Sequence, residues 1–144
     1  MKKQHFIFFV LMIVALSGGL ISCESDTFYE DDPNDIRNEY VGVWRFTEGG
    51  YKNGLSQSYI VTVSLDPNNS SQVLLDNFGN PGNTDITVTG IVTINSIVVS
   101  SQSLSNGWIV EGSGKKDGSG KMDWTYSITA GGDKEYYTAT ASKQ

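Results

Sequence analysis

Histidine and cysteine are almost missing from this chain of 144 residues, which contains one of each, His5 and Cys23. His5 lies in a segment that we predict to be cleaved, so the mature chain should contain no histidine. Catalysis by Ser-His-Asp or Cys-His groups, zinc sites with histidine ligands and disulfides within the chain are therefore excluded. An enzyme built from this sequence would have to use carboxylates, Tyr, Lys or Ser alone, and we predict no cofactor and no metal.

Basic residues are also scarce, with 10 Lys and Arg against 16 Asp and Glu. Loss of Lys2 and Lys3 with the cleaved segment leaves 8 basic residues against 16 acidic ones, a net charge of −8. This charge argues against nucleic acid as a partner. The 16 glycines, together with the lack of helical periodicity after Cys23, favour an all-β domain with many turns.

Residues 1–22 have the three regions of a secretory signal peptide: Lys2 and Lys3, an apolar run over 6–16, and a stretch of mostly small residues before Cys23. The alternative is a membrane span, but a run of eleven apolar residues is too short, since about 20 are needed. Residues 20–23, Leu-Ile-Ser-Cys, resemble the bacterial lipobox. This resemblance implies that Cys23 is acylated, becomes the first mature residue and anchors the protein through its acyl chains.

Residues 23–38 are predicted to be an acidic flexible tether, because residues 24–35 contain six carboxylates and no basic residue. Acidic residues directly after an acylated Cys resemble the export signal of Bacteroidetes-type bacteria. That resemblance implies a lipoprotein on the outer face of the outer membrane, exposed at the cell surface. The alternative is a plain charged spacer. A calcium loop is disfavoured, because the run lacks the Gly and the terminal Glu that such a loop needs.

Apolar residues that alternate with period two predict an all-β domain over residues 39–144, with about eight antiparallel strands. In the first strand, 40–48, the residues on one face are Tyr40, Gly42, Trp44 and Phe46. Further strands are predicted at 58–66, 72–78, 85–95 with a bulge at Gly90, 96–102 and 108–111, and around Trp124 and Tyr137. Because each strand follows its sequence neighbour, an up-and-down barrel is the natural closure, since it leaves no exposed edge.

The last two turns predict a strand register. A three-residue loop over 116–118 would place Glu111 opposite Asp123, Val110 opposite Trp124 and Trp108 opposite Tyr126. A two-residue loop at Gly131-Gly132 would pair Tyr126 with Tyr137, Trp124 with Ala139 and Met122 with Ala141. Large rings would then meet small side chains in the interior.

The Gly42-Val43-Trp44 triplet on the first strand resembles the Gly-x-Trp signature of lipocalins and related calycin barrels. This resemblance implies a lipocalin-like barrel in which Trp44 plugs the closed end, and Lys143 is the cation near the end of the chain that is available to lie on it. An ordinary core Trp after a small residue is the alternative. With the leader, the chain is similar to compact lipocalin-like, lipid-binding lipoproteins of Bacteroidetes. Hydrolase activity is implied only by the labels such lipoproteins sometimes carry.

Aromatic side chains should line the barrel interior, and they support two functions. If the rings leave room at one mouth, they form a pocket for a small apolar or amphipathic ligand, lined by Trp108, Trp124, Tyr126, Tyr59 and Tyr137. We expect this function, without catalysis. If the rings fill the interior, the protein is a surface interaction module for a polysaccharide or protein, contacted through exposed aromatics such as Tyr29, Tyr51 and Tyr136.

Two carboxylates, Glu111 and Asp123, are the pair that most resembles the acid and base of a glycosidase. The predicted register places them on the outer face, with Lys121 diagonal to Glu111. A solvated charge cluster is therefore expected there instead of a catalytic site.

Overall fold

The computed structural model describes residues 32–49, 56–82 and 86–144. A 3₁₀ helix, Ile36–Glu39, precedes eight strands: β1 Gly42–Glu48, β2 Gln57–Leu65, β3 Gln72–Asp76, β4 Thr87–Val92, β5 Ser96–Ser103, β6 Ile109–Lys116, β7 Lys121–Ala130 and β8 Asp133–Lys143. Each strand pairs antiparallel with its sequence neighbour, and β8 pairs with β1, so the sheet closes into a barrel. The predicted all-β, up-and-down barrel of eight antiparallel strands is confirmed. The part of the chain that the structure describes holds no helix with the length and apolar character to span a membrane.

The alternating residues of β1 face the interior, as the period-two pattern predicts. Trp44 and Phe46 are buried, whereas Val43 and Arg45, which alternate with them along the strand, are exposed. The same alternation in the other strands builds one hydrophobic core along the barrel axis. One end of this core is closed and the other opens as a mouth.

Arg37 closes one end of the barrel by tying the 3₁₀ helix to the turn between β2 and β3. Its guanidinium is buried and makes an ion pair of 2.6 Å with Asp35. Nη1 donates to the carbonyl oxygens of Asn69 at 2.8 Å and Gln72 at 3.1 Å. A buried charge is tolerated when it is paired and hydrogen-bonded in this way. The barrel unit therefore begins at Asp32. The sequence pattern had predicted that it begins at residue 39.

Trp44 lies at the same closed end and is 4% exposed. Its Nε1 donates to the carbonyl oxygen of Tyr40 at 2.7 Å. The Lys143 ammonium lies 5.8 Å from the centre of the Trp44 ring, and the Lys116 ammonium lies 4.3 Å from the centre of the Tyr40 ring. Two aromatic rings, each with a lysine over it, therefore form the closed end.

The register between β6 and β7 differs from the prediction by four residues. Gly112 lies opposite Tyr126, Gly114 opposite Trp124, and Glu111 opposite Ser127. The prediction was wrong because the loop is centred two residues later. Asp117 donates its N–H to the carbonyl of Lys121, and its carboxylate accepts from the N–H groups of Ser119 and Lys121. Because the shift is even, every side chain keeps its predicted face.

The register between β7 and β8 matches the prediction. Tyr126 lies opposite Tyr137, Trp124 opposite Ala139, and Met122 opposite Ala141. Gly131 and Gly132 both have positive φ, as a two-residue hairpin loop needs. The predicted contact of large rings with small side chains is therefore confirmed on this side of β7.

The bulge predicted at Gly90 is wrong. Gly90 pairs regularly with Val73, and a Cβ atom there would lie 2.5 Å from Cγ2 of Ile97, so the glycine makes room for a neighbouring side chain. The irregularity lies instead in the pairing of β5 with β6, between Val99 and Gln102. Ser100 and Ser101 occupy that position, and both are exposed.

Candidate functional site

Aromatic rings fill the centre of the barrel. The Phe78 ring centre lies 5.1 Å from that of Trp124 and 5.0 Å from that of Tyr126, and the Phe46 centre lies 5.4 Å from that of Trp124. These distances are those of rings in direct contact. A ligand therefore cannot reach the centre without displacing core side chains.

Phe78 was missing from the predicted interior set, although it is fully buried. It follows β3 in a turn in which Asn77 and Asn80 both have positive φ, so strand alternation does not extend to it. The left-handed asparagines turn the chain so that Phe78 enters the barrel from the mouth side. In the sequence, the feature that could have indicated a buried Phe78 is its place as a large apolar residue between Asn77 and Gly79.

The five residues predicted to bind a ligand lie in two places. Trp124, Tyr126 and Tyr59 are buried in the filled core, whereas Trp108 and Tyr137 are half-buried and pack against its edge. The Tyr137 ring stacks on the Tyr126 ring, with centres 5.2 Å apart and planes at 13°. The structure thus leaves two of the five rings, Trp108 and Tyr137, accessible from the mouth.

The mouth holds a cavity of about 420 Å³. It lies where β1, β7 and β8 come together at the end opposite Arg37, with the turn after β3 and the start of β6 beside them. Its side chains are the rings of Trp108 and Tyr137, the apolar Ile128 and Ala130, the amides Gln57 and Asn80, and the carboxylates Glu48, Asp133 and Glu135. The cavity therefore combines an aromatic surface with acceptors of hydrogen bonds.

Glu48 is the buried polar residue of this cavity, with 5% of its surface exposed. The Tyr126 hydroxyl donates to Oε1 of Glu48, and the Tyr59 and Tyr126 hydroxyl oxygens are 2.9 Å apart. The Tyr59 hydroxyl also interacts with Glu48, so the two tyrosine hydroxyls and the carboxylate form one hydrogen-bonded group. A chain of hydroxyls thus runs from the core to the carboxylate in the mouth.

Burial raises the pKa of the Tyr59 and Tyr126 hydroxyls well above its usual value, and the nearby Glu48 carboxylate adds to the rise for both. Both hydroxyls therefore keep their protons at neutral pH. They act as hydrogen-bond donors and not as bases.

Glu48 was not among the predicted site residues, although its position could have been read from the sequence. It continues the series Tyr40, Gly42, Trp44 and Phe46 at period two, which is the inward face of β1. The charge at this position obscured the pattern, because an acidic residue at the end of a strand is ordinarily taken as exposed.

A second concave surface, of about 1030 Å³, lies on the outer face of β5 to β8. Tyr136 projects there with 79% exposure, and Lys134 donates to Glu111 at 2.5 Å while lying 5.5 Å from the Tyr136 ring centre. Ser127 is buried beneath them, and its hydroxyl donates to Glu111 at 3.3 Å. We call this surface the outer groove.

The other candidate surface aromatics, Tyr29 and Tyr51, lie outside the described residues, as does Cys23.

The predicted pairing of Glu111 with Asp123 is wrong. Glu111 lies opposite Ser127, and Asp123 lies opposite Lys115. Glu111 is instead in an ion pair with Lys134, and this pair holds the pKa of the Glu111 carboxyl below its usual value.

Over residues 32–49, 56–82 and 86–144, no three acidic, His or Cys side chains are placed to hold a metal ion.

Comparisons with known proteins give no family assignment. No protein-family model matches the sequence, and no curated protein matches it. Among solved structures, the chain is similar to a redesigned beta barrel. The two share 14% sequence identity over 76% of this chain and 96% of the other, with a TM-score of 0.48.

Proposed function

We propose that this protein is a lipid-anchored, non-catalytic binding protein of the cell surface that takes a small amphipathic ligand at the mouth of its barrel. The observation that carries the proposal is the mouth cavity, in which Trp108 and Tyr137 stand half-buried above the buried Glu48. Concave sites with aromatic walls and a few placed polar groups are typical of ligand pockets. The volume of about 420 Å³ falls in the range of such pockets.

The ligand would be bound in the mouth and not along the barrel axis, because Phe46, Phe78 and Trp124 occupy the centre. It would be amphipathic, because the lining is mixed. An apolar body would lie against the Trp108 and Tyr137 rings, and polar atoms would reach the carboxylates and amides. Of the apolar or amphipathic ligand expected from the sequence, the mixed lining favours the amphipathic one.

The anchor in this proposal is acylated Cys23, and the outer leaflet of a Bacteroidetes-type outer membrane is its location. The lipobox-like residues 20–23 and the acidic residues after them support this part. The 3₁₀ helix Ile36–Glu39 lies at the closed end of the barrel, and the mouth is the opposite end.

Lipocalin-like character is also part of the proposal. Its support is Trp44 at the closed end of an eight-stranded barrel, with the Lys143 ammonium 5.8 Å from the ring centre. In this arrangement Trp44 seals one end and leaves the other for binding.

Tryptophan fluorescence tests the mouth as the binding site. The mature chain has three tryptophans, Trp44, Trp108 and Trp124, and Trp108 alone of the three lines the mouth cavity. A panel of fatty acids, sterols, aromatic amines and other amphipathic metabolites should include one that changes the emission. Trp108→Phe should abolish that change, whereas Trp124→Phe should retain most of it.

Two controls make the fluorescence result decisive. Tyr136→Ala, on the outer groove, should leave the emission change intact, and Trp44→Phe should do the same because Trp44 lies at the closed end. The proposal is wrong if the change survives Trp108→Phe, or if no member of the panel changes the emission.

The outer groove supports a second candidate function, adhesion to a polysaccharide or protein partner at the cell surface. The observation in its favour is Tyr136, which stands 79% exposed beside the hydroxyls of Ser100, Thr125 and Thr138. An exposed ring among hydroxyls can stack on a sugar. Tyr136→Ala should then abolish adhesion to a glycan array, and Trp108→Phe should not.

A further inference from the structure

We propose that the outer groove binds a neutral oligosaccharide, with one sugar ring stacked on Tyr136 and its hydroxyls bonded to the ion pair of Glu111 and Lys134. This inference rests on the second candidate function, adhesion through the outer groove, and adds to it the class of ligand and the residues that select it. The site is on the outer face of the barrel, so it does not depend on the ligand of the mouth.

Tyr136 supplies the stacking surface. It is 79% exposed, although an aromatic ring of this size ordinarily buries much of its area. Hydroxyls from three strands line the same groove: Ser101 of β5, Thr125 of β7 and Thr138 of β8. A concave surface that joins an open ring to several hydroxyls suits a ligand with apolar ring faces and many hydroxyl groups, as a sugar has.

Glu111, Ser127 and Tyr136 form one row across three adjacent strands. Ser127 of β7 lies opposite Glu111 of β6 on one side and opposite Tyr136 of β8 on the other. Neighbouring strands are about 4.8 Å apart, so the backbones at Glu111 and Tyr136 are separated by roughly 10 Å. The small, buried Ser127 is therefore the floor between two longer side chains. The volume of about 1030 Å³ is at the upper end of the range for ligand sites, so linked sugar rings fit it better than one ring.

The ion pair beside Tyr136 supplies a charged acceptor and a charged donor. The Lys134 ammonium donates to Oε1 of Glu111 at 2.5 Å, and the Ser127 hydroxyl donates to the same oxygen at 3.3 Å. A carboxylate has about four acceptor positions and an ammonium has three donors, so Oε2 of Glu111 and further protons of Lys134 can bond to a ligand. The two side chains are 42% and 41% exposed, which leaves them within reach. Because a hydroxyl both donates and accepts, neighbouring hydroxyls of one sugar can bond to both members of the pair.

The same pair determines the charge of the ligand. Because Glu111 opposes the charge of Lys134, an anionic sugar gains little attraction from Lys134 and is repelled by Glu111. Glu135, which also lines the groove, adds no positive charge. A neutral sugar needs no compensating charge, so the groove should prefer it.

Oligosaccharides of equal length test the inference: cellotetraose, maltotetraose and mannotetraose, which are neutral, and tetragalacturonate, which is anionic. Their binding to the isotope-labelled mature chain is followed by NMR at neutral pH. We expect at least one neutral tetrasaccharide to bind about tenfold or more tighter than tetragalacturonate and to shift the resonances of Ser127 and Tyr136. Tyr136→Ala should weaken that binding by about tenfold or more. Trp108→Phe, in the mouth, should leave it unchanged.

Glu111→Gln tests whether the ion pair selects the ligand. The amide still accepts a hydrogen bond but no longer opposes the charge of Lys134, so tetragalacturonate should bind about tenfold or more tighter than to the unchanged protein. A loss of structure alone would not produce this gain. Asp123→Asn removes a carboxylate from the outer face of β7 at a position outside the outer groove, and this matched control should produce no gain.

Four outcomes would overturn the inference. They are that no neutral tetrasaccharide binds, that binding is unchanged in Tyr136→Ala, that tetragalacturonate binds the unchanged protein as tightly as the neutral sugars, or that Glu111→Gln produces no gain. The last two would show that the ligand class is wrong while the groove stays a candidate for adhesion. If Tyr136→Ala also leaves adhesion to a glycan array intact, the second candidate function fails as well.

Discussion

Gly114 lies directly opposite Trp124 across the β6–β7 pairing, and the indole ring occupies the space that a side chain at Gly114 would need. A Cβ atom there would lie 2.1 Å from the ring. Real atoms cannot approach this closely, so the filled centre of the barrel depends on a glycine as much as on the rings.

Gly114→Ala should therefore destabilise the fold by about 1 to 3 kcal/mol, the usual cost of overpacking a core. Urea unfolding measures it. Ser113→Ala, at the exposed neighbouring position, is the control and should change stability by less than about 0.5 kcal/mol. In a Trp124→Leu background the Gly114→Ala cost should shrink, because the clashing ring is gone. An equal cost in both backgrounds would mean that the ring is not its cause.

Trp44→Ala should cost about 3 to 5 kcal/mol, a large part of the stability of a domain of this size. The residue is almost fully buried and its indole N–H is bonded to Tyr40, so truncation leaves a cavity and an unpaired carbonyl at the closed end. Val43→Ala, on the outward face of the same strand, should cost less than about 1 kcal/mol. If Trp44→Ala lowers the free energy of unfolding by less than about 1 kcal/mol, the closed end contributes little to the stability of the fold.

Asp35 should make the stability of the protein depend on pH. Its hydrogen bond with the Arg37 guanidinium holds the pKa of the Asp35 carboxyl below its ordinary value of 3.8. The stabilisation is therefore complete above that ordinary value and is lost as the pH falls through the lower folded pKa.

Asp35→Asn should accordingly cost about 1 to 3 kcal/mol at pH 7, and less near pH 3. Urea unfolding of both proteins at the two pH values measures the difference. A cost that stays the same at pH 3 would show that the charge of Asp35 contributes nothing.

Cys23→Ala should release the protein from the membrane fraction, or leave it there as an uncleaved precursor without acyl chains. The reason is that Cys23 is the proposed acylation site and provides the anchor. Palmitate labelling followed by cell fractionation tests this, with Ser25→Ala as the neighbouring control that should label normally. Normal labelling of Cys23→Ala would remove the lipoprotein part of the proposal.

Much of the architecture could be predicted from the sequence. Alternation of apolar residues placed Trp44, Phe46 and Trp124 on the inward face, and the Gly131-Gly132 turn predicted the β7–β8 register. Both signals are local, because a two-residue turn with positive φ allows one pairing of its strands. The longer Asp117 turn allowed more than one pairing, and the predicted β6–β7 register was wrong by four residues although its faces were right.

The position of the candidate site was decided by the tertiary structure. The sequence determines which face a side chain takes, since that depends on its place in the strand. It does not determine the height of the side chain along the barrel, which depends on the stagger of all eight strands. That stagger brings Phe78, Trp124 and Tyr126 to one level, where their rings fill the centre of the barrel. Trp108, Tyr137 and Glu48 lie at the mouth instead. The rings come from distant parts of the chain and cannot occupy the same volume, so only the tertiary structure decides which of them fill the centre.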